Sequence, residues 1–208
     1  YDDPRIRIFI HETNKGVTAA KNRGFKEIKG EWFGTFDSDD ELKPYAIETL
    51  MNIPLNLDNK ITSVIGNCVD ANTGELTGKG LTEDGYINGN EVQAYVEGDF
   101  WGLIRTDLLQ NDKLNENIRG LESVLWYKIN ARANKYYTHK ILDIIHTEGV
   151  DRVSTSKFKL KKSENKFEHL IDEEFFLEIT SRYKPKSFYK ICRNGILIMN
   201  ATGKRDIA

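Results

Sequence analysis

Apolar and polar positions change rhythm repeatedly along this chain. Residues 5–10, Arg-Ile-Arg-Ile-Phe-Ile, alternate charged and apolar side chains, which predicts a strand. Val17, Ala20, Gly24 and Ile28 then fall at helical spacing, predicting a helix over 16–29 that Gly30 stops. Residues 31–36 form a short aromatic strand that breaks off at Asp37-Ser38-Asp39-Asp40. Pro44 suits the first turn of a helix carrying Ile47, Leu50 and Met51. Further strands are predicted over 61–65, 100–104 and 136–145, the last ending at His146. Asn72-Thr73-Gly74 reads as a hairpin turn into 75–77. A short helix starts at Thr106, and a longer one, over 122–131, puts Leu125, Trp126 and Ile129 on one side. Strands alternating with helices predict an α/β fold whose sheet has parallel members.

Beyond residue 150 the rhythm is helical. Phe167, Leu170, Ile171, Phe175 and Ile179 recur at helical spacing, and 186–199 reads as another helix interrupted at Gly195. Charge shifts at the same place. Residues 1–150 carry 17 basic and 24 acidic side chains, whereas 151–208 carry 13 and 8. The expected organisation is a catalytic-type core over 1–150 and a helical C-terminal extension over 151–208.

Composition narrows the classes. With 39% hydrophobic and 30% charged residues in 208, the chain is neither disordered, collagenous nor coiled coil. No run approaches the roughly 20 apolar residues of a membrane span. A formal charge of −2 argues against a globally basic nucleic-acid binder, so no nucleic-acid partner is expected. Cys68 and Cys192 fit no zinc spacing, and a reducing cytoplasm is the simplest setting.

The sharpest chemical signal is Asp37-Ser38-Asp39-Asp40. It stands where a strand ends, and open α/β sheets bind ligands outside the carboxyl ends of their strands. Carboxylates crowded this closely repel one another, and a divalent cation relieves the repulsion. Oxygen ligands favour Mg²⁺ or Mn²⁺, which keep one or two protein carboxylates and fill the rest of their shell with phosphate oxygens and water. The plainer alternative is a solvated acidic loop capping the next helix.

Around that cluster the sequence resembles a known family. Residues 14–24 read Asn14-Lys15-Gly16-Val17-Thr18-Ala19-Ala20-Lys21-Asn22-Arg23-Gly24, followed by Lys29-Gly30-Glu31-Trp32-Phe33 and Phe36-Asp37-Ser38-Asp39-Asp40. This is similar to the N-x-G-(V/L)-(S/T)-x-A-(R/K)-N-x-G, K-G-(E/K)-(Y/W)-(I/F) and D-x-D elements of the family-two inverting glycosyltransferases. The resemblance implies a GT-A-like fold, with a central, mixed and mostly parallel sheet flanked by helices. It implies that Asp39 binds the metal bridging the donor diphosphate, and that Asp37 contacts the donor's ribose or sugar. Lys21 stands where the family usually has Arg and would help hold the nucleotide, keeping the charge without the bidentate fork. An exposed helix residue is the alternative for Lys21.

The resemblance continues through Phe100-Trp101-Gly102, similar to the family's acceptor-side strand, and through residues 114–126. There the family carries an acidic pair whose carboxylate takes the proton from the acceptor hydroxyl. Here the pair is Glu122-Ser123. Ser is a very weak acid, so Glu122 is the expected base, with a helix-capping role as its alternative. His146 and the stretch after it resemble the family's H-x-x-S-x-S-type segment. His146 is thereby a candidate metal ligand and Arg152 a candidate phosphate contact, with a half-buried polar residue at a strand end and a surface charge as their respective alternatives.

In the extension, Arg182, Lys184, Lys186, Lys190 and Arg193 interleave with Tyr183, Phe188 and Tyr189. Such a helix fits peripheral contact with an anionic membrane at its inner face, and equally a core-packed helix with a solvated basic face. Family-two chains begin with a further strand–helix–strand unit that supplies the nucleobase pocket, and Tyr1-Asp2-Asp3-Pro4-Arg5-Ile6 corresponds to the stretch after it. The core is therefore expected to be N-terminally incomplete, with an exposed sheet edge. The implied activity is metal-assisted transfer of a sugar, with inversion, from a nucleotide-sugar, UDP-linked by resemblance, to a glycan or lipid-linked acceptor. The alternative is a catalytically inactive binding or assembly module, because Ser123 replaces the second acid. A phosphotransfer enzyme would need a phosphate-cradling G-x-x-x-x-G-K-(S/T) loop, which the chain lacks.

Overall fold

The computed structural model describes residues 2–88, 96–116 and 122–147. In chain order the elements are α1 (Gly16–Lys26), β1 (Trp32–Phe33), β2 (Glu41–Leu42), α2 (Ala46–Asn56), β3 (Ser63–Asp70), β4 (Gly85–Asn88), β5 (Phe100–Arg105), a 3-10 turn (Thr106–Leu109), α3 (Glu122–Arg132) and β6 (Asn134–Ile145).

The strands form one sheet in the order β1-β5-β3-β6-β2, with β4 also on β6. β6 is long enough to hold both short partners in succession. Asn134–Tyr137 pairs with β4, and Asp143 and Ile144 pair with β2. The sheet is mixed, as expected, but the expected excess of parallel pairs is corrected. Among the described residues only β3–β6 is parallel, and the other four pairings are antiparallel. The reason lies in the connections. A right-handed crossover helix returns a strand in parallel, but between β3 and β5 the described elements are the short β4 and loop, so β5 runs back against β3.

Two apolar clusters sandwich the sheet. Ala46 and Leu50 of α2 pack with Ile61, Val64, Trp101, Leu103 and Leu142 on one side. Phe33, Leu109, Leu114, Leu125 and Ile129 pack on the other, with Phe25 of α1 and Trp126 of α3 against them. β5 serves both because its side chains alternate: Trp101 and Leu103 face α2, while Ile104 joins the cluster under α3. Gly102 lies between them where β5 crosses β3. A Cβ there would stand 2.0 Å from the Val64 carbonyl oxygen, so only glycine lets the strands approach.

The strand predicted over 5–10 finds no pairing partner among the described residues. Ile6, Ile8 and Ile10 are exposed, and Phe9 lies against the guanidinium groups of Arg7 and Arg23. The hairpin predicted at 72–77 reduces to a turn closed by Asp70, whose Oδ1 accepts the N–H groups of Asn72 and Thr73, plus one bridge from Val69 to Leu76. The extension over 151–208 and its two predicted helices lie outside the described residues. Among the described residues no helix is long and apolar enough to cross a membrane.

Candidate active site

The acidic loop lies between two short strands, each fixed to a longer one. β1 pairs with β5 at one end, and β2 pairs with the last residues of β6 at the other. Trp101 reinforces the first anchor. Its indole N–H donates to the Thr35 carbonyl at 2.9 Å, and its ring meets Phe36 edge-on. At the second anchor the Lys43 N–H donates to the Leu142 carbonyl (2.8 Å), and the His146 N–H donates to Asp40 Oδ1 (3.3 Å). A two-residue strand has little stability of its own. The loop holds its place because the sheet grips both of its ends.

The loop borders a cavity of about 340 Å³ that also takes in Lys21 of α1, Asp99 before β5 and Asp143 of β6. Lys21, Asp37 and Asp39 thus line one cavity. Lys21 Nζ lies 3.2 Å from Asp37 Oδ1. Asp40 sits deeper than its neighbours, and burial, followed by the charges of Asp39 and Asp37, raises its carboxyl above the ordinary range against the hydrogen bond from His146. Asp99 and Asp143 had no place in the sequence reading.

Asp143 is 3% exposed, and its Oδ1 has no hydrogen-bond partner. Burial first, then the charge of Asp40, pushes its pKa up to about 6. Beside it burial pushes the Cys68 thiol up as well, so Cys68 is an inert, protonated neighbour rather than a thiolate ligand. The sequence hints at it only by Asp143 interrupting the apolar run Ile141-Leu142-Asp143-Ile144-Ile145, and which way that carboxyl faces is set by the fold.

His146 stands at the rim. Its Nε2 is 3.1 Å from Glu41 Oε1, so its imidazole is turned to β2, and its link to the cluster runs through its backbone and Asp40. Glu122 opens α3, half-buried in the first turn. Arg152 lies outside the described residues. Among the described residues no three His, Cys, Asp or Glu side chains are placed to hold a metal ion by themselves. The donor set nevertheless fits a hard cation that shares its shell with a ligand. The cavity offers carboxylate oxygens, one of them buried and unpartnered, and such ions take one or two protein carboxylates beside phosphate and water.

A second cavity, of about 410 Å³, adjoins the first. The two share Lys21, Thr35, Phe100 and Trp101. Trp126 and Tyr127, one turn along α3 from Glu122, line it together with Asn130 and Lys135. Position and chemistry therefore divide: an acidic chamber at the end of β1, and an aromatic chamber beneath α3.

The profile of the family described as Glycosyl transferase family 2 matches residues 1–119. The chain belongs to that family. Family-two relatives extend over most of its length. A protein of Campylobacter jejuni named GalNAc(5)-diNAcBac-PP-undecaprenol beta-1,3-glucosyltransferase is 29% identical over 212 residues, covering 93% of this chain and 67% of that protein. The Escherichia coli protein YibD, an uncharacterised glycosyltransferase, is 25% identical over 76% of this chain and 53% of its own length. A shorter match, 32% identical over 38% of this chain and 30% of the relative, is to the Escherichia coli protein WfgD, a UDP-Glc:alpha-D-GlcNAc-diphosphoundecaprenol beta-1,3-glucosyltransferase. Among solved structures, S. aureus TarS 1–349 in complex with UDP-GlcNAc superposes with a TM-score of 0.59 at 15% identity, over 83% of this chain and 53% of that one. At that identity the likeness speaks for the fold alone, which is GT-A-like. The chain spans between about half and two thirds of the length of these longer-matching proteins.

Proposed function

We propose that this family-two chain carries the catalytic core of a glycosyltransferase that moves a sugar from a nucleotide-sugar, UDP-linked, to a hydroxyl of a glycan or lipid-linked acceptor with inversion. The observation that carries the reading is the clamped acidic loop with Lys21 drawn onto Asp37 at its mouth. A carboxylate able to take a divalent cation and a positive side chain within one chamber suit a donor diphosphate, and Asp39 and Lys21 line the same cavity. The names of the Campylobacter jejuni and WfgD proteins, which specify lipid diphosphate acceptors, support a lipid-linked acceptor.

Asp39 would hold Mn²⁺ or Mg²⁺, and His146 would join it only by giving up its contact with Glu41 and turning its imidazole toward the cavity. When bound, that ion supplies charge neutralisation to the departing diphosphate. Asp37 contacts the donor's ribose or sugar, Lys21 exchanges its pairing with Asp37 for the diphosphate, and Arg152 adds a second cationic phosphate contact. Glu122 accepts the proton of the acceptor hydroxyl. The acceptor oxygen then bonds to the anomeric carbon from the face opposite the diphosphate, and the bond from that carbon to the diphosphate breaks, inverting the centre. We place the activity in the cytoplasm, with the basic stretch over 182–193 at the inner face of a membrane.

Ser123 in place of a second acid favours one rival, a module that binds the donor but transfers nothing. Calorimetry with UDP, with and without Mn²⁺, and a turnover assay separate the two. Asp39→Ala is expected to abolish Mn²⁺-dependent UDP binding, and unchanged binding would sink the site. Glu122→Gln is expected to keep UDP binding and to lose at least a hundredfold in transfer. A wild-type protein that binds UDP yet turns over no donor establishes the rival.

A further inference from the structure

We propose that the second cavity is a subsite for a sugar bearing an oxyanion, and that Lys135 is the residue that selects it. This rests on the glycosyltransferase reading for its biological sense, since the donor leaves its diphosphate in the acidic chamber and the adjoining chamber receives the other substrate.

Lys135 is the anomaly of the cavity wall. It is 6% exposed, at the start of β6. Its Nζ donates to Asn130 Oδ1, a neutral acceptor, which engages one of three N–H donors. Among the described residues no carboxylate forms an ion pair with it. Glu97 lines the same cavity but is solvent-exposed at its edge. Desolvation lowers the Lys135 pKa from 10.5 to about 8, with no neighbouring charge offsetting it. The group is therefore still mostly cationic at neutral pH. Burying an ammonium without a counter-charge is costly, and a structure that keeps one at a cavity wall leaves an anion to be supplied from outside.

The remaining walls say what carries the anion. Trp126, Tyr127 and Phe100 bring aromatic residues to the cavity lining, with Trp101 at the border it shares with the first chamber, which suits the apolar face of a pyranose ring, while Asn130 and Lys135 supply its polar end. Apolar walls with a few placed polar groups fix a ligand's orientation. A sugar fits those walls, and a phosphate or carboxylate on it would complete the Lys135 pair. The signs of the two chambers also differ. An anionic sugar is repelled by Asp37, Asp39, Asp40, Asp99 and Asp143 next door and attracted here.

The test titrates N-acetylglucosamine 1-phosphate, glucuronate and neutral methyl glucoside into the chain saturated with UDP and Mn²⁺. Calorimetry and tryptophan fluorescence provide the readouts, two of the three tryptophans lining this cavity. The anionic sugars are expected to bind at least tenfold more tightly than methyl glucoside. Stronger binding of the phosphate or of the carboxylate sugar names the source of the oxyanion. Lys135→Met, close in size and without the buried charge, should erase the preference while leaving UDP affinity within twofold. Asn130→Asp should erase it too, by giving Lys135 an internal partner, and provides the second variant if Lys135→Met does not fold. Equal binding of neutral and anionic sugars, or a preference that survives both substitutions, overturns the proposal. The titration is repeated without UDP and Mn²⁺. If the wild type fails to bind UDP, the donor reading falls, and this second series still decides Lys135.

Discussion

Asn22 and Leu114, 92 residues apart, hold each other by two hydrogen bonds. The Asn22 Nδ2 donates to the Leu114 carbonyl at 2.8 Å, and the Leu114 N–H donates to Asn22 Oδ1 at 2.8 Å. The same Nδ2 also reaches Glu116 Oε1 at 2.9 Å. One buried amide thus satisfies both backbone groups of a loop residue and pins α1 to the segment that leads toward α3. This gives a physical reason for asparagine beside Lys21 in the Lys21-Asn22-Arg23-Gly24 motif.

Asn22→Ala is expected to destabilise the fold by about 2–4 kcal/mol, because the two backbone groups of Leu114 stay buried and lose their partner. Chemical denaturation measures it. A loss under about 0.5 kcal/mol would mean that the loop is held by its apolar contacts alone.

Lys21 makes a different kind of bond. Its pair with Asp37 is partly exposed, so Lys21→Met should change stability by less than about 1 kcal/mol. UDP affinity in the presence of Mn²⁺ is expected to fall by about tenfold, one charge-assisted contact. Lys21→Arg should retain most of it. Calorimetry on the three proteins decides, and equal affinities would remove Lys21 from the donor site.

Asp143 predicts a pH dependence. Its pKa is raised in the folded chain from 3.8 to about 6, chiefly by burial. Between those values the folded state holds the proton and the unfolded state releases it. Its contribution to stability is therefore full below about pH 4 and lost as the pH rises through 6. Asp143→Asn should accordingly gain in melting temperature relative to wild type between pH 4 and pH 7. A difference that stays constant with pH would show that the carboxyl is not titrating there.

Much of this arrangement was legible beforehand. The three α-helices, β1, β3, β5 and β6 can be placed from the sequence, though the aromatic strand expected over 31–36 pairs only at Trp32–Phe33 and the one expected over 61–65 lies at Ser63–Asp70, and Asp37-Ser38-Asp39-Asp40 is visible as a break in an aromatic strand. What escaped has physical reasons. The alternation of residues 5–10 encodes a face but not a partner, and a strand needs both. Glu41-Leu42 and Gly85–Asn88 carry no pattern of their own, and exist because β6 offers backbone for them to pair with. Asp143 and Lys135 hid because each is a lone charge in a strand. Whether such a charge faces water or a chamber depends on register, which periodicity alone leaves open.

β6 advances five residues, from Thr138 to Asp143, while β3 opposite advances only two, from Gly66 to Cys68. That irregularity lets a single strand begin in one chamber and end in the other. Lys135 gives it a buried positive end and Asp143 a buried negative end, eight positions along. One element therefore sets the sign of both chambers, and a change in its register would move the two buried charges together.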